Sequence, residues 1–256
     1  MAGLHRFSRN ELLFGTTAVD RLKKATVAVF GLGGVGSYAA EALCRGGVGT
    51  LVLVDFDDIC LTNCNRQLHA MEGTIGKAKA LVMAERLRQI NPEANIVPYK
   101  DFYAADNSDF LLDNDYEYVV DAIDHITSKL HLIKSCRERE IAIISSMGAA
   151  AKVDPGRIRV GDISQTNTCR MARTVRKLLR KQGISKGVKV VFSTEEYRQQ
   201  DGESVNPCRT DCICPNKGDQ RFSCEHRRVV LGSSSFIPGI FGLTMAGVVI
   251  NDLLKD

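Results

Sequence analysis

Residues 25–43 read ATVAVFGLGGVGSYAAEAL, and the fold of the chain follows from how this stretch is parsed. An apolar, β-branched run (Val27, Ala28, Val29, Phe30) leads straight into Gly31, Gly33, Gly34 and Gly36, and an alanine-rich segment of helical character follows. Strand, glycine turn and helix in this order form the setting in which backbone N–H groups at a helix N-terminus meet a nucleotide phosphate. The stretch predicts a nucleotide loop and leaves the nucleotide open.

Working outward, strand signals recur at Thr26–Phe30, Thr50–Asp55, Asn95–Lys100, Tyr118–Asp121 and Ile141–Ser145, with helical patterns at Gly34–Cys44, Lys77–Ile90 and Thr127–Arg139 between them. Such alternation predicts a doubly wound, Rossmann-like α/β sheet. Ahead of it, Ser8–Phe14 and Ala18–Lys24 read as a helical lead-in, with Ser8 as N-cap and Glu11 completing a capping box. After it come strand patterns at Arg157–Val160 and Val188–Ser193, a basic helix at Cys169–Gln182, a polar loop from Glu195 to about His226, and a terminal helix at Ile240–Leu254 that is buried or makes a dimer contact. Residues 1–256 are expected to form one domain, with a core over about 8–150 and a smaller, irregular part over about 151–256.

At 256 residues and 44% hydrophobic content the chain can bury one large core. No basic and then apolar leader opens it, so the cytoplasm is the expected compartment. Nine cysteines, an odd number, fit reduced thiols better than a disulfide framework. Residues 229–251 carry no charge, but three serines, Pro238 and several glycines interrupt them, which argues against a membrane span. The net charge of +4 is modest; its distribution says more. Arg170, Arg173, Arg176, Lys177, Arg180 and Lys181 fall within one helix whose Met171, Val175 and Leu178 would face the core. That cationic face is either solvated or tracks nucleic-acid phosphates, and no stacking aromatic accompanies it in the sequence.

The nucleotide is decided downstream of the glycines. Asp55, nineteen residues after Gly36, stands where an acidic residue takes ribose hydroxyls, which suits NAD and an adenosine nucleotide equally. Beyond it, however, Asn63, Asn65, Arg66 and Gln67 crowd one polar turn, and Lys77 and Lys79 open a helix. A nicotinamide needs an apolar slot there, whereas a triphosphate needs donors and cations, so the reading leans to ATP. Asp121 and Asp124 emerge at the carboxyl edge of a further strand, and Asp124 is the candidate ligand for Mg2+.

The blocks FSRNELLFG, GLGGVG, LVLVDFDDICLTNCNRQ, GTIGKAK and VVDAID, in this order and spacing, resemble the adenylating superfamily of ubiquitin-activating enzymes and the ThiF-like adenylyltransferases of molybdopterin and thiamine biosynthesis. QTNTCRMARTVRKLLRKQGI and VKVVFSTEE are similar to its tRNA threonylcarbamoyladenosine dehydratase branch. The resemblance implies that Gly31, Gly33, Gly34 and Gly36 cradle ATP, with Gly34 closest to the nucleotide, and that Asp55 holds the ribose. It further implies that Asp57, Asn63, Arg66 and Lys79 complete the nucleotide site, that Asp124 holds Mg2+, and that Arg9 reaches across a homodimer as an arginine finger. Arg9, Arg66, Lys79 and Asp124 are then the catalytic set. The implied reaction adenylates the threonyl carboxylate of a modified adenosine beside the tRNA anticodon, and the carbamoyl group of the substrate displaces AMP to close a ring. A sulfur-transfer protein is a further partner to consider.

Departures from the superfamily also inform. The cofactor-biosynthesis enzymes carry paired CxxC zinc motifs, and this chain has none. Cys208, Cys212, Cys214 and Cys224 could still bind zinc, but their irregular spacing favours free thiols. Residues 1–256 leave no room for a thioester-cysteine domain. His69, His125 and His226 are available as bases, and none is assigned. Two other readings compete: activation of the C-terminus of a ubiquitin-like or sulfur-carrier protein, and a non-catalytic NAD-binding scaffold.

Overall fold

The computed structural model describes residues 4–113, 115–198 and 231–255. Its strands are β1 (Thr26–Phe30), β2 (Thr50–Val54), β3 (Asn95–Tyr99), β4 (Tyr118–Asp121), β5 (Ala142–Ser146), β6 (Ile158–Asp162) and β7 (Lys189–Ser193). They form one sheet in the order β3-β2-β1-β4-β5-β7-β6, parallel throughout except for β6, which runs antiparallel to β7. Crossovers from β1 lead to β2 and β3 on one side, and β4 begins the other half. The carboxyl ends of β1 and β4 are therefore the switch point where open α/β sheets bind ligands.

The helices are α1 (Ser8–Phe14), α2 (Thr16–Lys24), α3 (Gly36–Gly46), α4 (Lys79–Ile90), α5 (Ser108–Leu111), α6 (Ile126–Glu138), α7 (Arg170–Lys181) and α8 (Ile237–Leu253). Along β1, Val27 and Val29 join one core with Leu43, Leu53, Met83 and Phe241, while Ala28 and Phe30 join the other with Val54, Ile133, Val175 and Leu179. Side chains alternate across a strand, so a strand buried on both faces reads as an uninterrupted apolar run, which is why β1 was legible.

The uncharged run ends in α8, which lies against α3. A Cβ on Gly242 would stand 2.2 Å from the Val35 carbonyl oxygen, one on Gly239 3.1 Å from the Tyr38 ring, and one on Gly46 2.6 Å from Ile250. Glycine lets the two helices touch. Pro238 occupies the first turn of α8, where its missing N–H costs nothing, so the helix starts three residues before the expected Ile240. Among the described residues no helix is long and apolar enough to cross a membrane. At its far end Asp252 accepts hydrogen bonds from Tyr118 (2.9 Å) and Lys189. Burial works against the charge of that carboxylate, but Lys189, Lys255 and Tyr118 together hold its pKa at about 2.

The expected Ser8 capping box does not form. Phe7 is the N-cap, Ser8 Oγ accepts the His5 N–H at 2.8 Å, and Glu11 pairs with His5 Nε2 at 2.7 Å. Both capping side chains are thus spent on the chain ahead of the helix. Of the expected loop Glu195–His226, residues 195–198 are described; Cys208, Cys212, Cys214 and Cys224, with the zinc reading, lie outside the described residues.

Candidate active site

The glycines of the turn serve different ends. Gly31 has φ +85°, and a Cβ there would meet the Ala122 carbonyl oxygen at 2.7 Å; one on Gly36 would overlap the Gly31 oxygen at 1.7 Å. These two make the turn possible. Gly34 packs against the protein, with its missing Cβ 2.9 Å from Pro238 Cβ and 3.2 Å from Arg66 Cγ, whereas the same position on Gly33 finds only Gln67 Nε2, at 3.8 Å. The open side-chain space of the turn is thus at Gly33. Among the described residues no backbone carbonyl accepts the N–H groups of Gly33, Gly34, Val35 or Gly36; the first bond of the helix runs from Ser37 N–H to Gly33 O. Unclaimed donors at the positive end of α3 form an anion site.

On one side of the turn, the end of β2 supplies acids and α4 supplies a cation. Asp55 Oδ2 accepts the Leu32 N–H at 2.5 Å and Oδ1 accepts the Asp57 N–H at 2.9 Å, so this carboxylate ties the glycine turn to β2. Burial raises its pKa against the pull of Lys79. Lys79, 5% exposed, donates to Asp57 Oδ2 at 2.7 Å. Burial alone would lower the pKa of its ammonium, but Asp55, Asp57 and Asp124 together outweigh that and raise it.

On the other side, β4 ends in Asp121, which is fully buried. Its Oδ2 takes Lys129 Nζ at 2.7 Å and Ser145 Oγ at 2.5 Å, and its Oδ1 takes the Ile123 N–H at 3.0 Å. Asp121 is therefore structural, holding the β4–α6 turn, and the exposed Asp124 projects from that turn within electrostatic reach of Lys79. This donor set fits Mg2+: one accessible carboxylate beside the place where phosphate oxygens would lie.

The polar turn closes the site. Asn63 Oδ1 accepts the Cys60 N–H at 3.0 Å, and its backbone oxygen accepts Arg66 and Gln67 N–H, each at 3.0 Å. Arg66 Nη1 donates to Thr62 O and Asn65 Oδ1, each at 2.8 Å. Sequence reasoning named Gln67 in this turn but assigned it no role. Gln67 is 7% exposed, with Nε2 toward Gly33, where an amide N–H can donate to a phosphate oxygen, while its buried Oε1, an acceptor, has no partner. His69 is fully buried, and neither ring nitrogen has a partner. Burial, then Lys79 and Arg86, lowers its pKa to about 3, so it is a neutral packing group and no base.

Arg9 is exposed on α1, far from the turn of its own chain. The neighbouring Asn10 Nδ2 donates to Arg45 O and Gly46 O at the last residues of α3, whereas the glycine turn precedes the first, so the length of the helix, about 16 Å, separates them. On α7, Arg170, Arg173, Lys177, Arg180 and Lys181 are exposed. Arg176 departs from expectation: Nη1 donates to Thr166 O at 2.6 Å, locking α7 to the segment before it, so it does not belong to the open cationic face. A cleft of about 950 Å³ opens at the opposite edge of the sheet, among Arg21, Tyr118, Arg137, Lys189 and Asp252. Asp252, Lys189 and Tyr118 satisfy one another there, and no glycine turn or helix N-terminus of the sheet's switch point reaches it.

The ThiF family matches residues 7–256. The chain belongs to the ThiF family. Within this family, the tRNA threonylcarbamoyladenosine dehydratase of Bacillus subtilis is 46% identical over 253 residues, 99% of this chain and 96% of that one. The Escherichia coli protein of the same name is 42% identical over 81% of this chain and 83% of its own length. Crystal structures of that E. coli enzyme superpose with TM-scores of 0.84 in complex with AMP and 0.83 in complex with ATP, at 34% and 35% identity. Each covers 97% of this chain, and this chain covers 94% and 93% of them. The mostly parallel α/β sheet described above is thus shared with that enzyme over nearly the whole chain.

Proposed function

We infer that this chain is an ATP-dependent tRNA threonylcarbamoyladenosine dehydratase. The observation that carries the reading is the whole-length likeness to the Bacillus subtilis dehydratase, 46% identical over 99% of the chain. The geometry supports it with a phosphate turn flanked by Lys79, Asp57 and Asp124.

In this reading ATP lies with its phosphates on the N–H groups of Gly33 to Gly36 and its ribose at Asp55. Arg66, Asn63, Gln67 and Lys79 face the phosphates, and Asp124 holds Mg2+, which neutralises phosphate charge. The threonyl carboxylate of the modified adenosine attacks the α-phosphorus and pyrophosphate leaves. Cations fixed beforehand around the leaving group lower this barrier, each by about 10²- to 10³-fold in rate. The carbamoyl group of the substrate then attacks the acyl carbon and expels AMP, closing the ring with net loss of water. No cysteine nucleophile is called for in this scheme; Cys44 and Cys136 lie in the cores, where burial pushes their thiols up to about 11 and about 12.

Arg9 acts in this scheme only across a homodimer, because its own crevice lies at the far end of α3. The exposed Leu12, Leu13 and Phe14 beside it offer the apolar surface for such a contact. With tRNA as substrate, the cytoplasm is the compartment this reading expects. The deciding experiment supplies ATP with threonylcarbamoyl-modified tRNA, unmodified tRNA, or a carrier protein ending in Gly-Gly. AMP and pyrophosphate released with modified tRNA alone is the expected result; ADP, or exchange driven by the carrier, overturns it.

A further inference from the structure

The basic helix begins beside the crevice. In the sheet β5 lies next to β4, so the segment leaving Ser146 emerges alongside the turn that carries Asp124. Gly148 in that segment meets the entry to α7: a Cβ there would stand 3.5 Å from Met171 Cβ and 3.8 Å from Cys169 Sγ. Farther along, Ala151 O accepts the Arg198 N–H at 3.2 Å, which draws the chain after β7 across the same edge. The two segments meet at one contact, with the guanidinium of Arg170 4.2 Å over the centre of the Tyr197 ring. Arg170 is exposed and Tyr197 half-buried. The aromatic partner that α7 lacks in sequence is therefore supplied by tertiary structure.

We propose that the Arg170–Tyr197 pair is a stacking platform for an unpaired nucleobase of the tRNA anticodon loop, next to the modified adenosine that enters the crevice. The inference rests on the tRNA reading above. Proteins hold single-stranded RNA by laying splayed bases on aromatic rings and guanidinium planes, and a guanidinium already seated on a ring is flat and pre-ordered for this. From the platform α7 runs away from the carboxyl edge and presents Arg173, Lys177, Arg180 and Lys181 to solvent. Stacking at the crevice end and phosphate attraction along the helix divide the recognition between them. Stacking on a face reads no base edge, so the platform selects a loop over a duplex and tolerates any base.

The test measures binding of an anticodon stem–loop carrying threonylcarbamoyladenosine across a salt series. Tyr197→Ala and Arg170→Lys, the latter keeping the charge and discarding the plane, are expected to weaken binding by about 5- to 150-fold, the range for one stacked base. Their salt slopes match the parent, whereas Arg180→Ala lowers the slope by about one. Tyr197→Phe binds as the parent does, and ATP binding is unchanged in all four variants. Because the chain has no tryptophan, Tyr197→Trp also installs a lone reporter, whose emission should change with the stem–loop and not with a duplex. Affinities of Tyr197→Ala and Arg170→Lys within about two-fold of the parent, below what one stacked base contributes, would overturn the platform alone. A parent protein that binds neither the stem–loop nor tRNA at low salt would overturn the tRNA reading with it.

Discussion

Lys79 Nζ stands 2.7 Å from Asp57 Oδ2, and the same ammonium feels Asp55 and Asp124 from either side of β1, so one buried cation is the electrostatic centre of the crevice. Replacing it by methionine keeps the stem and removes the charge. Lys79→Met is expected to lower ATP–pyrophosphate turnover on modified tRNA by about 10²- to 10³-fold. Arg66→Lys should lose less than Arg66→Ala, though more than a surface arginine would, because the fork is replaced by a point charge. Turnover by Lys79→Met within about tenfold of the parent would remove this lysine from the chemistry.

The glycines separate fold from ligand. Gly33→Ala adds a methyl group into space where the nearest atom is 3.8 Å away, so its melting temperature should stay near that of the parent while ATP binding weakens. Gly36→Ala cannot be accommodated, since its Cβ would overlap the Gly31 oxygen, and it should fail to fold or melt far lower. Calorimetry with and without ATP distinguishes the two; normal ATP affinity in Gly33→Ala would argue that phosphate does not approach there.

Beneath Asp124, Lys129 and Asp121 form an ion pair with both side chains fully buried. Lys129→Met leaves a buried carboxylate uncompensated and is expected to cost about 3–5 kcal/mol. Adding Asp121→Asn should return much of that loss, because the remaining amide can still meet Ser145 and the Ile123 N–H. Urea denaturation of the four members of this cycle gives the coupling directly, and additive losses would show that the two charges act independently.

Acid should reveal His69. Its pKa is about 3 in the folded protein, against an ordinary 6.5, so the unfolded chain takes up the proton first. Stability therefore falls as pH drops from about 6.5 towards 3, by about 1.4 kcal/mol per pH unit from this group. Urea midpoints compared at about pH 7.5 and about pH 5 should show a decline near 2 kcal/mol in the parent that His69→Leu lacks. Equal acid sensitivity in both proteins would contradict a buried neutral imidazole.

The sheet was legible because β1, β2 and β4 are short apolar runs rich in β-branched residues with their chemistry at the carboxyl end: Phe30 leads into the glycines, Val54 into Asp55, and Val120 into Asp121. Helix boundaries were less so, for reasons that lie outside each helix. The sequence pattern of α3 stops at Cys44, yet the helix continues through Gly46, whose missing side chain makes room for Ile250, and ends on the left-handed Gly47. Arg176 reads like its cationic neighbours until Thr166 comes within reach. Of the candidate site, Asp55, Asp57, Lys79 and Asp124 gather as their positions implied, with Arg66 in the turn that faces Gly34. The partnership of Arg170 with Tyr197, the unsatisfied Oε1 of Gln67 and the structural role of Asp121 depend on segments distant in sequence, which no local pattern encodes.

The contact of α8 with α3 also bears on how the protein is made. Val35 and Tyr38, just past the phosphate turn, are covered by Gly239 and Gly242, some two hundred residues downstream. A nascent chain on the ribosome can pair β1 with β2 early, but the flank of its nucleotide helix stays bare until residues 237–253 have left the exit tunnel. A product truncated before this segment would leave that apolar flank open to chaperones and proteases.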